Sequence, residues 1–369
     1  MKKIFLILSL FVSLSLEAQF VTTLAKNVPE TQEDGVFYYL PRNVIRLEFL
    51  VEESDYYIGP YAEFASKLMG TTDYIKENKK EYCVKSVDIQ LVNEIDPDAA
   101  YFISFDEKTK EPLLNIILDD DGLILSIGYE HEPAKPRILR TSFLDNGLNI
   151  NVNQENSFIE ILDNEIEIED DDDEEEGKAP KKITKEDKAK YALEKIKRAK
   201  NAYMDLVTGD QDVSGGNALP FMVENLKNIE NENVSLFKGK VVKNTYSKVF
   251  YITPEENQAN ASVSIAKFSN TDGIVESGGK GDIIKIQFES KNSLANIKQL
   301  SDDTKKASLA NKIFYRMPAE SNVKVLVGNS VLTEKQLTIS QFGIIRTMSV
   351  KNNKILFDPN TGQIISVIR

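Results

Sequence analysis

The chain has 369 residues, 41% of them hydrophobic and 28% charged, with a formal net charge of −13. That length is ample for two domains, and the acidic balance argues against a nucleic-acid or phosphate-binding surface, which needs a basic face. Cys83 is the only cysteine, so an internal disulfide is excluded and the fold must rest on hydrophobic cores.

The first residues contain the parts of a secretory signal peptide: Lys2-Lys3, the apolar stretch Ile4–Leu16, and the small residue Ala18. Cleavage is expected after Ala18, which places residues 1–18 outside the mature protein and sends the rest to the periplasm or outer envelope, or to release. The apolar stretch is shorter than the roughly 20 residues that span a bilayer, and no second one follows. No transmembrane segment is therefore expected in the mature chain.

Residues 19–146 read as a strand-rich α+β domain. Within Asn43–Val51, Ile45, Leu47 and Phe49 alternate with Val44, Arg46 and Glu48, the period of a half-buried strand. Pro60–Met69 predicts a short helix ended by Gly70. Strands are predicted over Tyr82–Val92, Ala100–Phe105, Leu113–Leu118 and Leu123–Ile127, the last two joined by an Asp-Gly turn at Asp119–Gly122. Cys83 falls in a strand pattern, where a buried, inert thiol is expected.

Residues 147–182 form an acidic linker. Glu169–Glu176 is an unbroken run of eight carboxylates, and 163–176 holds eleven. Removing Lys2, Lys3 and Glu17 with the signal peptide leaves a charge of −14, of which those eleven account for all but −3. Like charges at this density repel and bury nothing apolar, so a solvated, disordered spacer is predicted.

Residues 183–239 predict a helical hairpin. Thr184-Lys185-Glu186-Asp187 has the form of an N-terminal cap. Ala189, Ala192, Leu193, Ile196, Ala199, Tyr203, Leu206 and Val207 then recur at helical spacing, ending near Gly209. A second helix begins near Asn217 with Pro220 in its first turn. Met222, Leu226, Ile229, Leu236 and Phe237 line its apolar face, and Gly239 ends it.

Residues 240–369 switch to a period of two. Strands are predicted at Lys240–Ile252, Ala261–Phe268, Asp282–Glu289, Lys312–Arg316, Asn322–Val327, Gln336–Ile339, Ile344–Val350, Lys354–Phe357 and Ile364–Ile368. Short strands separated by Gly, Asn and Pro turns point to a mainly antiparallel β-sandwich-like domain. The predicted fold class is thus α+β: a strand-rich domain, an acidic linker, a helical hairpin and a sandwich.

Several segments carry a family resemblance in chain order. They are Tyr39-Leu40-Pro41, Gly59-Pro60-Tyr61-Ala62, Gly122–Ser126, Leu206–Asp210, Gly216–Leu219, Leu236–Gly239, Phe314–Pro318, Gln341-Phe342-Gly343 and Asp358–Gly362. In these the chain resembles the domain of unknown function 4831 family of exported Gram-negative bacterial proteins. Val207 and Phe357 stand where that pattern leads one to expect leucine, and the acidic insert is particular to this chain. The resemblance implies an exported protein of mixed α/β content. It implies no activity, so no catalytic residue is carried over.

The residues themselves offer weak chemistry. His131 is the only histidine, and lacks a partner motif for a Cys-His or Ser-His nucleophile. Ser-x-x-Lys occurs at Ser235–Lys238, Ser264–Lys267 and Ser321–Lys324 without the companion motifs of an acyl-enzyme. Asp210, Asp212, Ser214 and Gly215 copy the opening of a calcium loop, but Phe221 stands where its twelfth residue, a Glu, is needed. Ser277–Gly281 is glycine-rich without phosphate-loop spacing. No catalytic, cofactor-binding or metal-binding residue is assigned, and no cofactor is expected. The leading expectation is a non-enzymatic envelope binding or assembly protein whose partner is an envelope protein or glycan. The rival is an envelope hydrolase of glycan or peptide, using carboxylates gathered between the two domains.

Overall fold

The computed structural model describes residues 20–28, 34–105, 115–130, 183–208, 218–276, 278–291 and 309–369. The expected signal peptide, the acidic linker, His131 and the Asp210–Gly215 loop lie outside those residues. The described strands are β1 (Phe20–Leu24), β2 (Gly35–Tyr57), β3 (Lys79–Phe105), β4 (Ile116–Leu118) and β5 (Ile124–Ile127). After them come the helices α1 (Lys185–Thr208) and α2 (Leu219–Lys238). Eight more strands follow: β6 (Lys240–Ile252), β7 (Ser262–Ser269), β8 (Gly273–Val275), β9 (Asp282–Ser290), β10 (Lys312–Val327), β11 (Ser330–Ser349), β12 (Lys354–Phe357) and β13 (Ile364–Ile368).

These strands form antiparallel sheets of order β1-β3-β2-β6, β11-β10-β9-β7-β8 and β13-β12-β5-β4. The chain is strand-rich α+β with a sandwich-like β arrangement. The alternation seen in the sequence explains the first core. Ile45, Leu47, Phe49 and Val51 point to one side of β2 and pack against Ile284, Ile286 and Phe288 of β9, Val323 and Val325 of β10, and Ile339 and Phe342 of β11. Each such side chain contributes about 1.5–3 kcal/mol on burial. A second core joins Tyr38, Leu40, Tyr101 and Ile103 of β2 and β3 to Ile124, Ile127, Ile355 and Phe357 of the third sheet and Phe314 of β10.

Several predicted strands merge. Tyr82–Val92 and Ala100–Phe105 are parts of β3; Lys312–Arg316 and Asn322–Val327 are parts of β10; Gln336–Ile339 and Ile344–Val350 contribute to β11. What reads as a break in the sequence is a bulge within a continuous strand. In β3, Ala100 pairs with Tyr39 and Ile95 with Pro41, so 96–99 bulge opposite Leu40. In β10 and β11, Met317 pairs with Ile344 and Ala319 with Ile339, so 340–343 bulge opposite Pro318. Proline lacks the N–H that a ladder position requires and is confined to such places.

The expected units 19–146 and 240–369 do not keep separate sheets. β6 pairs with β2 from Ile45↔Ile252 to Tyr57↔Lys240, and β12 pairs with β5. The apolar row of β2 is closed by strands from the far end of the chain, so the two stretches share their cores. Cys83 is exposed, contrary to expectation. It lies opposite Glu52 in the β2–β3 ladder, while its neighbours Tyr82 and Val84 turn to the core.

The helical hairpin is anchored at one end. Thr184 and Asp187 cap α1 reciprocally: the Asp187 N–H donates to Thr184 Oγ1 at 3.2 Å and the Thr184 N–H to Asp187 Oδ2 at 3.1 Å. The predicted Pro60–Met69 helix is a tighter turn, Ala62–Phe64, followed by a wider one, Ala65–Met69. Its entry is diverted because the Tyr61 N–H donates to the Leu236 carbonyl of α2 at 2.8 Å. The Ile75 N–H likewise takes the Lys238 carbonyl at 2.8 Å, satisfying groups that a helix C-terminus leaves open. Gly239 ends α2 at φ 88°, and a Cβ there would lie 2.4 Å from the Tyr57 carbonyl oxygen, so the position admits no side chain.

Candidate functional site

The two wide bulges face one another and make a cavity of about 370 Å³. Its lining includes Arg42, Asp96 and Asp98 from the first bulge region, Glu255 and Glu256 after β6, and Arg316 of β10. Ser340, Gln341 and Gly343 of the second bulge complete it. Two segments that carry the family resemblance, Phe314–Pro318 and Gln341-Phe342-Gly343, contribute Arg316, Gln341 and Gly343 to this lining.

The floor of this cavity is a polar knot. Asn43 is fully buried; its Nδ2 donates to the Asn360 carbonyl at 2.9 Å, and the Ser340 N–H donates to its Oδ1 at 2.6 Å. The Gln341 amide spans the Asn43 backbone, accepting from its N–H at 2.9 Å and donating to its carbonyl at 2.7 Å. The side-chain amides of Asn43 and Asn93 approach within 2.6 Å, as do those of Asn93 and Asn360. Ser340 Oγ donates to the Thr361 carbonyl at 3.1 Å. Gly343 is required by close approach, since a Cβ would lie 1.8 Å from the Met317 carbonyl oxygen.

Beside the knot, Arg316 donates from a guanidinium nitrogen to Asp96 Oδ2, and the Asp98 N–H donates to Asp96 Oδ1 at 3.1 Å. Burial pushes the Arg316 guanidinium below its ordinary value, opposed by the charge of Asp96. The Arg316 backbone N–H holds the Gly362 carbonyl at 2.9 Å. The Asp96 carboxylate is thereby committed to holding the first bulge against β10. Arg42 is likewise paired, to Glu94 at 2.6 Å.

A larger, more open groove of about 870 Å³ lies where β2, β3 and β6 approach β7, β9 and the β10–β11 turn. Glu52, on its wall, receives Lys85 at 3.0 Å and Lys243 at 3.3 Å. The Lys85 ammonium, with Lys243 assisting against partial desolvation, holds the Glu52 carboxyl below the usual range. That is opposite to the shift of a general acid.

The third region is the free end of the hairpin. Near its base, Ala189, Ala192 and Ile196 of α1 and Leu236 and Phe237 of α2 are buried against Tyr61 and Ala65. The same helical stripe of α2 continues outward through Ile229, Met222 and Leu219, each exposed. Phe221 is 65% exposed beside it, and on α1 Met204 is 55% and Val207 59% exposed. At 1.5 Å per residue α1 is about 36 Å long, and the turns at Ala62–Met69 pack against its first half. Isolated apolar side chains on a surface are ordinary, whereas a run of them on two adjacent helix ends is a candidate interaction surface.

The residues weighed in the sequence do not come together. Cys83 lines the open groove; His131 and Asp210–Gly215 lie outside the described residues, as does Ser277. The three Ser-x-x-Lys lysines are engaged away from their serines. Lys238 pairs with Asp73 at 3.1 Å, Lys267 donates to the Gly279 carbonyl at 3.0 Å, and Lys324 pairs with Glu289 at 2.7 Å. Among the described residues no group of three metal-ligating side chains converges, and no helix is long and apolar enough to cross a membrane. The knot residues Asn43, Asn93 and Asp96 escaped the sequence reading. The signal available was polar residues in strand positions next to Pro41 and Pro97.

No curated protein and no solved structure matches this chain. A family model does match, over residues 34–365, which takes in the knot, the groove and the hairpin alike. The chain belongs to the family described as Domain of unknown function (DUF4831).

Proposed function

We propose that this is a non-enzymatic binding or assembly protein of the cell envelope, and that it docks through the distal half of its helical hairpin. The observation carrying this is the stripe of α2, buried at Leu236 and Phe237 and uncovered at Ile229, Met222 and Leu219. A helix stripe that stays apolar beyond the reach of the described residues is suited to completion by another surface. The envelope address follows from the secretory pattern of residues 1–18.

Fractionation of cells and crosslinking in the envelope test both parts. The account expects mature chains beginning near Gln19 in the envelope fraction, with crosslinks that Phe221→Ser together with Met222→Ser abolishes. Crosslinks unchanged by that pair, or a chain retained in the cytoplasm with its first 18 residues, would sink the proposal.

A second reading, an envelope hydrolase of glycan or peptide, draws on the cavity that gathers Asp96 and Asp98 from the first half of the chain and Glu255 and Glu256 from the second. Release of sugars or peptides from envelope material by the wild type, lost in Glu256→Gln, would establish it instead.

A further inference from the structure

We infer that the cavity between the two bulges holds a free amino acid or the amino end of a peptide, a group that carries an ammonium beside a carbonyl or carboxylate. This site stands apart from the docking surface proposed above. Arg316 lines the cavity and is only 6% exposed. A guanidinium presents its N–H donors in a planar fork that suits paired bonds to one carboxylate. Here one terminal nitrogen donates to Asp96 Oδ2, while Asp96 Oδ1 accepts from the Asp98 N–H at 3.1 Å. The fork stays open. Its side chain makes no other hydrogen bond among the described residues, and Nε is enclosed without a partner. Buried donors left unmatched are costly, and the volume beside them, about 370 Å³, is that of a small-molecule site. An acceptor oxygen brought in by a ligand satisfies them.

The charge around the cavity decides what carries that oxygen. Both bases of the lining are already paired, Arg42 with Glu94 at 2.6 Å and Arg316 with Asp96. Asp98, Glu255 and Glu256 add further carboxylates to the same lining. Asp98 and Glu255 are exposed, and neither enters an ion pair among the described residues. Glu255 is held in place by a reciprocal cap: its N–H donates to Gln258 Oε1 at 3.1 Å, and its carboxylate accepts from the Gln258 N–H. A simple anion is repelled by this lining, and a simple cation leaves Arg316 unmet. A group with both features answers both. Its ammonium faces Asp98 and Glu255, its carbonyl or carboxylate faces Arg316, and a small apolar side chain lies against the buried Ala99 and Ile344.

Calorimetric titration of the full mature chain tests this with L-alanine and L-alanyl-L-alanine. Each is set against analogues that lack one feature: propionate, ethylamine and the N-acetylated dipeptide. Wild type binds at least one of the two probes, and binds the matching analogues about tenfold more weakly or worse, the value of one charged hydrogen bond. Binding of the dipeptide alone assigns the site to peptide ends; binding of alanine assigns it to free amino acids as well. Asp98→Asn with Glu255→Gln, both at exposed positions, weakens binding by a similar factor while melting like wild type. Because Arg316 is buried, its role is read in Asp96→Leu with Arg316→Met, which removes both charges together and loses binding. Phe221→Ser with Met222→Ser binds like wild type, so the cavity and the hairpin stand or fall separately. Neither probe bound at millimolar concentration, analogues bound as well as the probes, or binding untouched by Asp98→Asn with Glu255→Gln overturns the inference.

Discussion

The polar knot beneath the bulges and the free end of the hairpin are opposite solutions to what a chain does with groups that do not suit their surroundings. At the knot, polar side chains lie in the protein interior, and each of Asn43, Gln341 and Asp96 is satisfied by another part of the same chain. At the hairpin, apolar side chains are exposed, and among the described residues α2's stripe is covered for only half its length. On the proposed reading the knot belongs to folding and the tip to association. For that association the larger volumes do not mark the more suggestive surface: the cavity floor is already engaged, whereas the tip is not.

Substitutions separate the two. The largest effect is expected at the buried ion pair. Asp96→Ala leaves the Arg316 charge uncompensated and should cost about 3–5 kcal/mol in urea unfolding. Asp96→Leu combined with Arg316→Met, which removes both charges, should cost clearly less. Gly343→Ala comes next, at about 1–3 kcal/mol, because its Cβ has to displace the Met317 backbone. Thr184→Ala, which removes the α1 cap, should cost about 1 kcal/mol and loosen the base of the hairpin. Substitutions of Met204 or Phe221 to serine should stay within about 0.5 kcal/mol of wild type, as exposed positions do. Parity between the tip and knot variants would erase the distinction.

The smallest effect is pH-dependent and lies in the groove. Lys85 and then Lys243 hold the Glu52 carboxyl below its usual value. Its contribution is thus present above the unfolded carboxyl's pKa, about 4.3, and fades as pH falls through the lower folded value. Glu52→Gln should flatten stability against pH in that acid window and lower neutral melting by the same small amount that the wild type loses on acidification. An unaltered acid limb would show that the three strands do not rely on this contact.

Much of this was legible in the residues. The period-two rows of β2, the cap at Thr184, the ends of both helices and the strands Lys240–Ile252, Lys354–Phe357 and Ile364–Ile368 follow from local pattern and turn chemistry. The bulges did not. A four-residue insertion such as 340–343 looks like a turn until its partner strand is known. β1 and β8 were also missed, one beside the expected cleavage point and the other only three residues long. The exposure of Cys83 depends on which face of β3 meets the core, and that is set by strands far away in sequence. The hairpin stripe was read as an apolar face from Met222 to Phe237, without Leu219. That half of it is uncovered could not be seen, because sequence gives the length of a stripe and not the reach of what packs on it.

The central claim is that the distal hairpin serves association and not folding. Measuring melting temperature and envelope crosslinking side by side for Phe221→Ser with Met222→Ser tests it most directly. The account predicts unchanged melting with the crosslinks gone. Depressed melting with the crosslinks intact would contradict it.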